Sequence, residues 1–127
     1  MPPTQDLRKY MEFAAESAYL AGRLTLGYFG TGVRPDFKAD DTPVTVADRL
    51  AEQLIRGRIE QAYPDHAIVG EEFGVSEGAG ASAGTSHRWF IDPIDGTKSF
   101  LRGVPLYGVL LGLEIDGRVE VGAAYYP

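Results

Sequence analysis

The amino-acid sequence predicts a mixed α/β domain in which two helices are followed by about five strands. Apolar residues recur at helical spacing in two segments of the first half, and short apolar runs separated by turn residues occupy the second half. The length of 127 residues suits one ordinary domain, which buries roughly two thirds of its unfolded surface. A hydrophobic content of 44% and a charged content of 24% are typical of a globular protein.

The first predicted helix extends from about Asp6 to Tyr28. Its apolar and small residues recur at the spacing that one buried helix face requires. Gly30-Thr31-Gly32 ends the helix, and the polar segment from Asp36 to Thr42 is expected to form a loop. The predicted buried face consists of Leu7, Tyr10, Met11, Ala14, Ser17, Ala18, Ala21 and Leu24.

The second predicted helix has clearer limits. Thr45 is a good N-cap, and Tyr63-Pro64 stops the helix. The spacing Thr45-x-x-Asp48 resembles a capping box, so by spacing alone Asp48 has a structural role at the helix start. The predicted buried face consists of Ala47, Leu50, Ala51, Leu54, Ile55, Ile59 and Ala62.

The apolar runs of the second half predict strands. The segment from Gly74 to Ser86 is rich in Gly, Ala and Ser and is expected to be a surface loop. Asp116-Gly117 lies between two apolar runs and predicts the turn of a β-hairpin. The predicted strands include residues 67–70, 89–91, 106–115 and 118–126.

Charge and composition restrict the partners that we expect. The net charge of −6 argues against nucleic acid or an anionic membrane as the main partner. No apolar run approaches membrane-spanning length and no signal-like stretch follows Met1, so a cytoplasmic location is expected. The absence of cysteine excludes disulfides, a thiol nucleophile and a zinc-thiolate site.

The most informative stretch is Asp92-Pro93-Ile94-Asp95-Gly96-Thr97, directly after an apolar run. It places two carboxylates at the end of a predicted buried strand. Gly96 permits close approach of a ligand to the backbone, and residues 97–101 are expected to open a helical turn whose N–H groups attract an anion. An ordinary Asp/Gly turn explains the bare spacing equally well.

Three carboxylates form the candidate metal cluster. Asp92 and Asp95 can converge at a strand end, and Glu71 follows another predicted strand. An oxygen-only set favours Mg²⁺ or Mn²⁺, and the Ile94 carbonyl is a further candidate ligand. A solvated pair at a strand end is the alternative explanation of Glu71-Glu72.

The roles of four other charged or titratable residues are less defined by spacing alone. His66 and His87 are expected to be lone surface or loop residues. Lys38 and Lys98 either are solvated or steer phosphate.

Together these motifs resemble the inositol monophosphatase superfamily of metal-dependent phosphomonoesterases. The resemblance extends over nearly the whole chain and implies the layered αβαβα sugar-phosphatase fold. Residues 1–127 would form its N-terminal, metal- and phosphate-binding half, with two helices on a largely antiparallel sheet. The matching motifs, in order, are Lys38-x-Asp40-x-x-Pro43-Val44-Thr45-x-Ala47-Asp48, Tyr63-Pro64, Gly70-Glu71-Glu72 and Trp89-x-Ile91-Asp92-Pro93-Ile94-Asp95-Gly96-Thr97-x-x-Phe100.

The resemblance also implies ligands for two or three Mg²⁺ ions, with Mn²⁺ as an alternative. Glu71, Asp92 and the Ile94 carbonyl would ligate the first ion. Asp92 would bridge to a second ion that Asp95 also holds. Glu71 would help to place a third through water.

The catalytic residues implied by the resemblance are Glu71, Thr97 and Asp48. A water oriented by Glu71 and Thr97 would attack phosphorus, and Asp48 would hydrogen-bond the Thr97 hydroxyl. Asp95 and the amides of Gly96 and Thr97 would bind the substrate phosphate. Thr97 is interpreted as a proton relay, because no histidine or lysine base pairs with it as a nucleophile would require.

The segment from Asp95 to Pro105 is similar to the histidinol-phosphate phosphatase branch. Inositol monophosphatases more often have Asn where this chain has Ser99. The implied reaction converts histidinol phosphate to histidinol and phosphate, in histidine biosynthesis. The alternative is an inositol-1-monophosphatase or another sugar or nucleotide phosphatase.

Members of this superfamily are about twice as long as this chain, and their second half supplies a further aspartate to the second metal site. We therefore expect this chain to be an N-terminal half. A truncated non-catalytic module that binds metal or pairs with another chain is the alternative. The resemblance implies a homodimer acting on a small phosphorylated substrate.

Overall fold

The computed structural model describes residues 4–78 and 86–127. Its larger sheet has the strand order β4-β3-β5-β6-β7, and β1 and β2 form a separate two-stranded ribbon. The elements in chain order are α1 (Thr4–Leu26), β1 (Asp36–Phe37), β2 (Pro43–Val44), α2 (Val46–Ala62), β3 (Ala67–Gly70), β4 (Gly74–Ser76), β5 (His87–Asp95), α3 (Thr97–Leu101), β6 (Gly108–Ile115) and β7 (Arg118–Tyr125).

The five-stranded sheet is mixed and mostly antiparallel. Strand β3 runs parallel to β5, whereas the β3–β4, β5–β6 and β6–β7 pairs are antiparallel. The prediction of helices packed on a largely antiparallel sheet is therefore confirmed. Within residues 4–78 and 86–127, none of the helices combines the length and the apolar composition that a membrane span requires.

Helices α1 and α2 pack on one face of this sheet and form the main core with it. Small residues of α1 allow close approach, since Ala14, Ala18 and Ala21 are fully buried. The opposite face of the sheet is apolar around Phe90, Leu110 and Ala124, which line a groove of about 750 Å³.

Helix α2 begins as its sequence predicts. The Thr45 hydroxyl accepts the amides of Ala47 and Asp48, and Asp48 Oδ2 accepts the Thr45 amide at 2.9 Å. This reciprocal capping box satisfies amides that the first helical turn leaves without partners. The predicted buried face is correct at most positions, but Ala62 is exposed.

Several predicted boundaries differ from the structure. The expected loop from Asp36 to Thr42 begins with β1 and leads into β2. The expected loop from Gly74 to Ser86 begins as β4, which pairs with β3, while residues 79–85 lie outside the described residues. The final hairpin is present, although β6 starts at Gly108 and leaves Leu106 exposed.

The two histidines are not isolated, contrary to the prediction. The rings of His66 and His87 stack with centroids 4.4 Å apart. Trp89 Nε1 donates to His66 Nδ1 at 3.0 Å, and the Tyr10 ring packs edge-on against both imidazoles. Burial, followed by the charge of His87, lowers the pKa of His66 to about 4.

Candidate metal and phosphate site

The end of β5 gives the site its shape. This strand continues beyond the apolar run to Asp95, and its pairing with β6 shifts register between Asp92 and Asp95. Such an irregularity accommodates Pro93, which cannot donate a ladder hydrogen bond. As a result Pro93 and Ile94 are both buried, while Asp92 is partly buried and Asp95 is exposed.

A cavity of about 570 Å³ opens at this strand end. Lys38 and Glu72 also line it, whereas Asp48 is buried and does not. Six of the predicted site residues line this cavity, namely Glu71, Asp92, Ile94, Asp95, Gly96 and Thr97.

Glu71 reaches this cavity because β3 lies beside β5. Gly70 pairs with Ile91 in the parallel register, and the Glu71 amide donates to the Ile91 carbonyl at 3.3 Å. Glu71 and Asp92 therefore follow equivalent positions of two neighbouring strands. The parallel pairing explains how residues so far apart in sequence come to share one cavity.

Asp92 has an environment that is unfavourable for an isolated carboxylate. Its Oδ1 is buried and has no hydrogen-bond partner among the described residues. Burial raises its pKa to about 7, and the adjacent Glu71 carboxyl and the charges of Asp95 and Asp48 act in the same direction. A bound cation would remove both penalties.

The carboxylates do not form a ready-made cage. Within residues 4–78 and 86–127, no three His, Asp or Glu side chains are close enough together to hold a metal ion. Both Glu71 and Asp95 are exposed, so their side chains can change rotamer. The donor set and the orphaned Asp92 oxygen fit a hard cation, and ligation by these residues stays a prediction.

Asp48 connects the helix cap to Thr97. The Thr97 hydroxyl lies 3.1 Å from Asp48 Oδ1 and 3.2 Å from the Ile94 carbonyl, and it can donate to either. The expected Asp48–Thr97 hydrogen bond is therefore present. Since Asp48 Oδ2 accepts from Thr45, the capping role and the Thr97 contact coexist on one carboxylate.

Lys38 is a cation on the rim of this acidic cavity. Its Nζ lies 3.1 Å from Glu72 Oε1, and the Glu72 side chain is only 5% exposed. Burial would lower the pKa of Lys38, but Glu72, Glu71 and Asp48 outweigh that effect and raise it. Burial raises the pKa of Glu72 despite Lys38. Lys38 thus stays protonated beside the cavity.

Glu52 is a buried acidic residue that no sequence motif indicated. It is fully buried, and Arg56 Nε donates to its Oε2 at 2.8 Å. The amides of Glu72 and Phe73 also donate to its carboxylate. The sequence feature that could have indicated its burial is its place between Ala51 and Ile55, on the apolar face of α2, four residues before an arginine.

Comparison with known proteins shows which family this sequence matches. The sequence model of the inositol monophosphatase family matches residues 6–127. The chain is 49% identical over 118 residues to histidinol-phosphatase from Chlorobaculum parvum, a match that covers 92% of this chain and 44% of that relative. It is 37% identical over 125 residues to fructose-1,6-bisphosphatase/inositol-1-monophosphatase from Aquifex aeolicus, with 97% and 46% covered.

A solved structure agrees with the sequence matches. The crystal structure of the extragenic suppressor protein SuhB from Bartonella henselae superposes with a TM-score of 0.85 at 30% identity. That match covers 94% of this chain and 45% of the other. The chain therefore spans about half the length of the relatives that it matches.

Proposed function

This chain belongs to the inositol monophosphatase family, and we propose that it forms the metal- and phosphate-binding part of a phosphomonoesterase. The observation that supports this most directly is the buried, unpartnered Oδ1 of Asp92 beside the Glu71 carboxyl, within the part of the chain that the structure describes. An anionic oxygen without donors destabilises the folded chain unless a cation neutralises it. A metal ion bound between Asp92 and Glu71 would supply that cation.

Four oxygen donors would hold Mg²⁺ or Mn²⁺ in this cavity. They are the carboxylates of Glu71, Asp92 and Asp95 and the carbonyl of Ile94. The Ile94 carbonyl lies within reach of the Thr97 hydroxyl, and a carbonyl oxygen has a second lone pair that remains available. We expect two or three ions, as in the family that the chain resembles. Bound there, such ions would neutralise charge on the phosphoryl group and the leaving oxygen.

Thr97 and Asp48 would handle the proton of the attacking water. The Thr97 hydroxyl can donate its one hydrogen to Asp48 Oδ1 and accept a hydrogen bond from water through its lone pairs. As the water proton passed to Thr97 Oγ1, the Thr97 proton would pass to Asp48 Oδ1. Asp48 is held by Thr45, so Thr97 Oγ1 is oriented before substrate arrives. Glu71, at the end of β3, would bind and orient the same water.

The phosphate would lie near Gly96 and Thr97, where the backbone turns into α3. Gly96 adopts a φ of 90°, a region that favours glycine, and a Cβ there would lie 2.9 Å from the Leu106 carbonyl. A larger residue would therefore disturb this turn. The Lys38 ammonium would add positive charge at the cavity rim, supporting an anionic substrate.

Histidinol phosphate is the substrate that we propose. The support is the 49% identity to a histidinol-phosphatase and the sequence of residues 95–105. Relatives named for other phosphomonoesters make inositol 1-phosphate and fructose 1,6-bisphosphate the competing substrates.

The experiment measures phosphate release with Mg²⁺ or Mn²⁺ from histidinol phosphate, inositol 1-phosphate, fructose 1,6-bisphosphate and p-nitrophenyl phosphate. Mn²⁺ binding is measured on the same samples. We expect histidinol phosphate to be hydrolysed with the highest kcat/KM, and Asp92→Asn to abolish turnover. A higher kcat/KM for another ester would change the proposed substrate but not the proposed phosphomonoesterase activity. Absence of both turnover and Mn²⁺ binding would refute the phosphomonoesterase.

A further inference from the structure

We propose that Glu52 is a positioning residue that holds Glu71 in place against Asp92. The inference rests on the proposed function, because that function gives Glu71 its role as a metal ligand. The observation behind it is a set of hydrogen bonds on the backbone that follows Glu71. Glu52 Oε1 accepts the Glu72 amide at 2.8 Å, and Oε2 accepts the Phe73 amide at 2.9 Å.

The backbone around Glu71 is thereby held from two sides. Its own amide donates to the Ile91 carbonyl of β5 at 3.3 Å, and the next two amides donate to Glu52 of α2. Side chains on exposed turns are normally mobile, and Glu71 itself is exposed. With this backbone tied to a strand and a helix, the Cα of Glu71 keeps its position beside Asp92 of the neighbouring strand, and only the Glu71 side-chain torsions remain free.

The Glu52 carboxyl group has an arginine and two backbone amides as partners, which explains how it can be buried. Arg56 Nε donates to Oε2 at 2.8 Å, and the Arg56 guanidinium also donates to the Gly74 carbonyl at the far end of the turn. A buried carboxylate with an arginine and two amides has the partners that it needs. An amide side chain at position 52 would point an NH₂ group at a backbone N–H.

The close packing of Gly70 against the Glu52 carboxyl group is a second observation that links Glu52 to this turn. A Cβ at this position would overlap the Glu52 carboxyl group. The carboxyl group cannot move aside without losing its bonds to Arg56, Glu72 and Phe73. Gly70 and Glu52 therefore depend on each other, and Gly70→Ala should displace Glu52 without removing it.

The test is a double-mutant cycle with Mn²⁺ as the probe, its affinity measured by electron paramagnetic resonance. Glu52→Gln should weaken Mn²⁺ binding roughly tenfold, as loss of a residue that orients a ligand typically does. In the Glu71→Gln background the same change should have less than about a twofold effect, because Glu52 acts through Glu71. Glu16→Gln, which removes another arginine-paired carboxylate, is the control and should leave affinity unchanged.

An equal loss of affinity in both backgrounds, or no loss in either, would overturn the inference. If Glu52→Gln does not fold by circular dichroism, Gly70→Ala replaces it, with Gly57→Ala as the matched control in open space. Amide hydrogen exchange of Glu72 and Phe73 is the second readout. Exchange should accelerate in either variant, and unchanged exchange would also overturn the inference. A wild-type chain without Mn²⁺ affinity would refute the metal site, and exchange alone would then decide whether Glu52 holds the turn.

Discussion

Asp92 combines a buried carboxylate oxygen that has no donor among the described residues with a neighbouring carboxyl group from Glu71. At the residue scale, a sequence optimised for stability alone would not place both of these carboxylates side by side. Perturbed ionisable groups in a cavity are typical of functional sites. The proposed metal ligands are therefore expected to cost stability when no metal is present.

Asp92→Asn tests this cost directly. In EDTA at about pH 8 the variant should be more stable than wild type by roughly 1 kcal/mol, because the Asn amide can donate to Glu71 and the repulsion disappears. Urea unfolding measures the difference. The same variant should lose Mn²⁺ affinity. Asp116→Asn, in the exposed hairpin turn, is the control and should change neither quantity. A less stable Asp92→Asn would contradict the argument.

Substitutions of Thr97 test the proposed proton path from the attacking water through Thr97 to Asp48. Thr97→Val removes the hydroxyl that contacts Asp48 and should lower kcat roughly 100-fold, as loss of a positioned proton-transfer group does. Thr97→Ser keeps the hydroxyl and should retain most of the activity. The measurement is steady-state hydrolysis of histidinol phosphate with Mg²⁺. Equal rates for the two variants would exclude Thr97 from the proton transfer.

At the scale of elements, local signals predicted the helices well and the strands less well. The start of α2 was predictable because its capping box lies within four residues. Strand β4 was missed because a Gly- and Ser-rich segment forms a strand here only by pairing with β3. The extension of β5 to Asp95 was missed because a proline inside a strand usually ends it, except at a pairing irregularity.

Two helix glycines should respond oppositely to alanine. Gly22 of α1 is buried, and a Cβ there would overlap the Tyr125 ring, so Gly22→Ala should destabilise the fold by about 1–3 kcal/mol. A Cβ on Gly57 of α2 would meet no described atom within 4 Å, so Gly57→Ala should stabilise the fold by roughly 0.5–1 kcal/mol. Urea unfolding measures both. Equal effects would contradict the packing of α1 against β7.

At the scale of the whole molecule, the parallel pairing of β3 with β5 brings remote residues together at both ends of these strands. At one end it places Glu71 beside Asp92, and at the other it stacks His66 on His87. The predicted isolation of the histidines was wrong because their partnership depends on this pairing. Sequence spacing contains no information about which strands become neighbours.

Protonation of His66 should destabilise the fold. The neutral form is favoured because the site is partly buried and Nδ1 accepts from Trp89, so the folded chain binds fewer protons than the unfolded one. The unfolding free energy should therefore fall as pH drops from about 6.5 towards 4. Tyr10, Tyr63, His87 and Asp65 are the other titratable groups that face this imidazole among the described residues.

The measurement is urea unfolding of wild type and His66→Gln across this pH range. Glutamine can accept from Trp89 Nε1 without titrating, so the variant should lose less stability between about pH 6.5 and pH 4. Groups remote from His66 are the same in both proteins, so their effects cancel in the comparison. A parallel loss of stability in the two proteins would exclude His66 as the cause.

The sequence by itself determined the limits of α2, the final hairpin and the identity of the acidic residues at the strand ends. These features depend on capping, turn preferences and apolar periodicity, which act over a few neighbouring residues. Only the tertiary structure decided that Glu71 lies beside Asp92, that Glu52 is buried beneath the Glu71 turn and that the histidines stack. Those contacts join segments far apart in sequence, and their stability comes from packing of the whole sheet against α1 and α2.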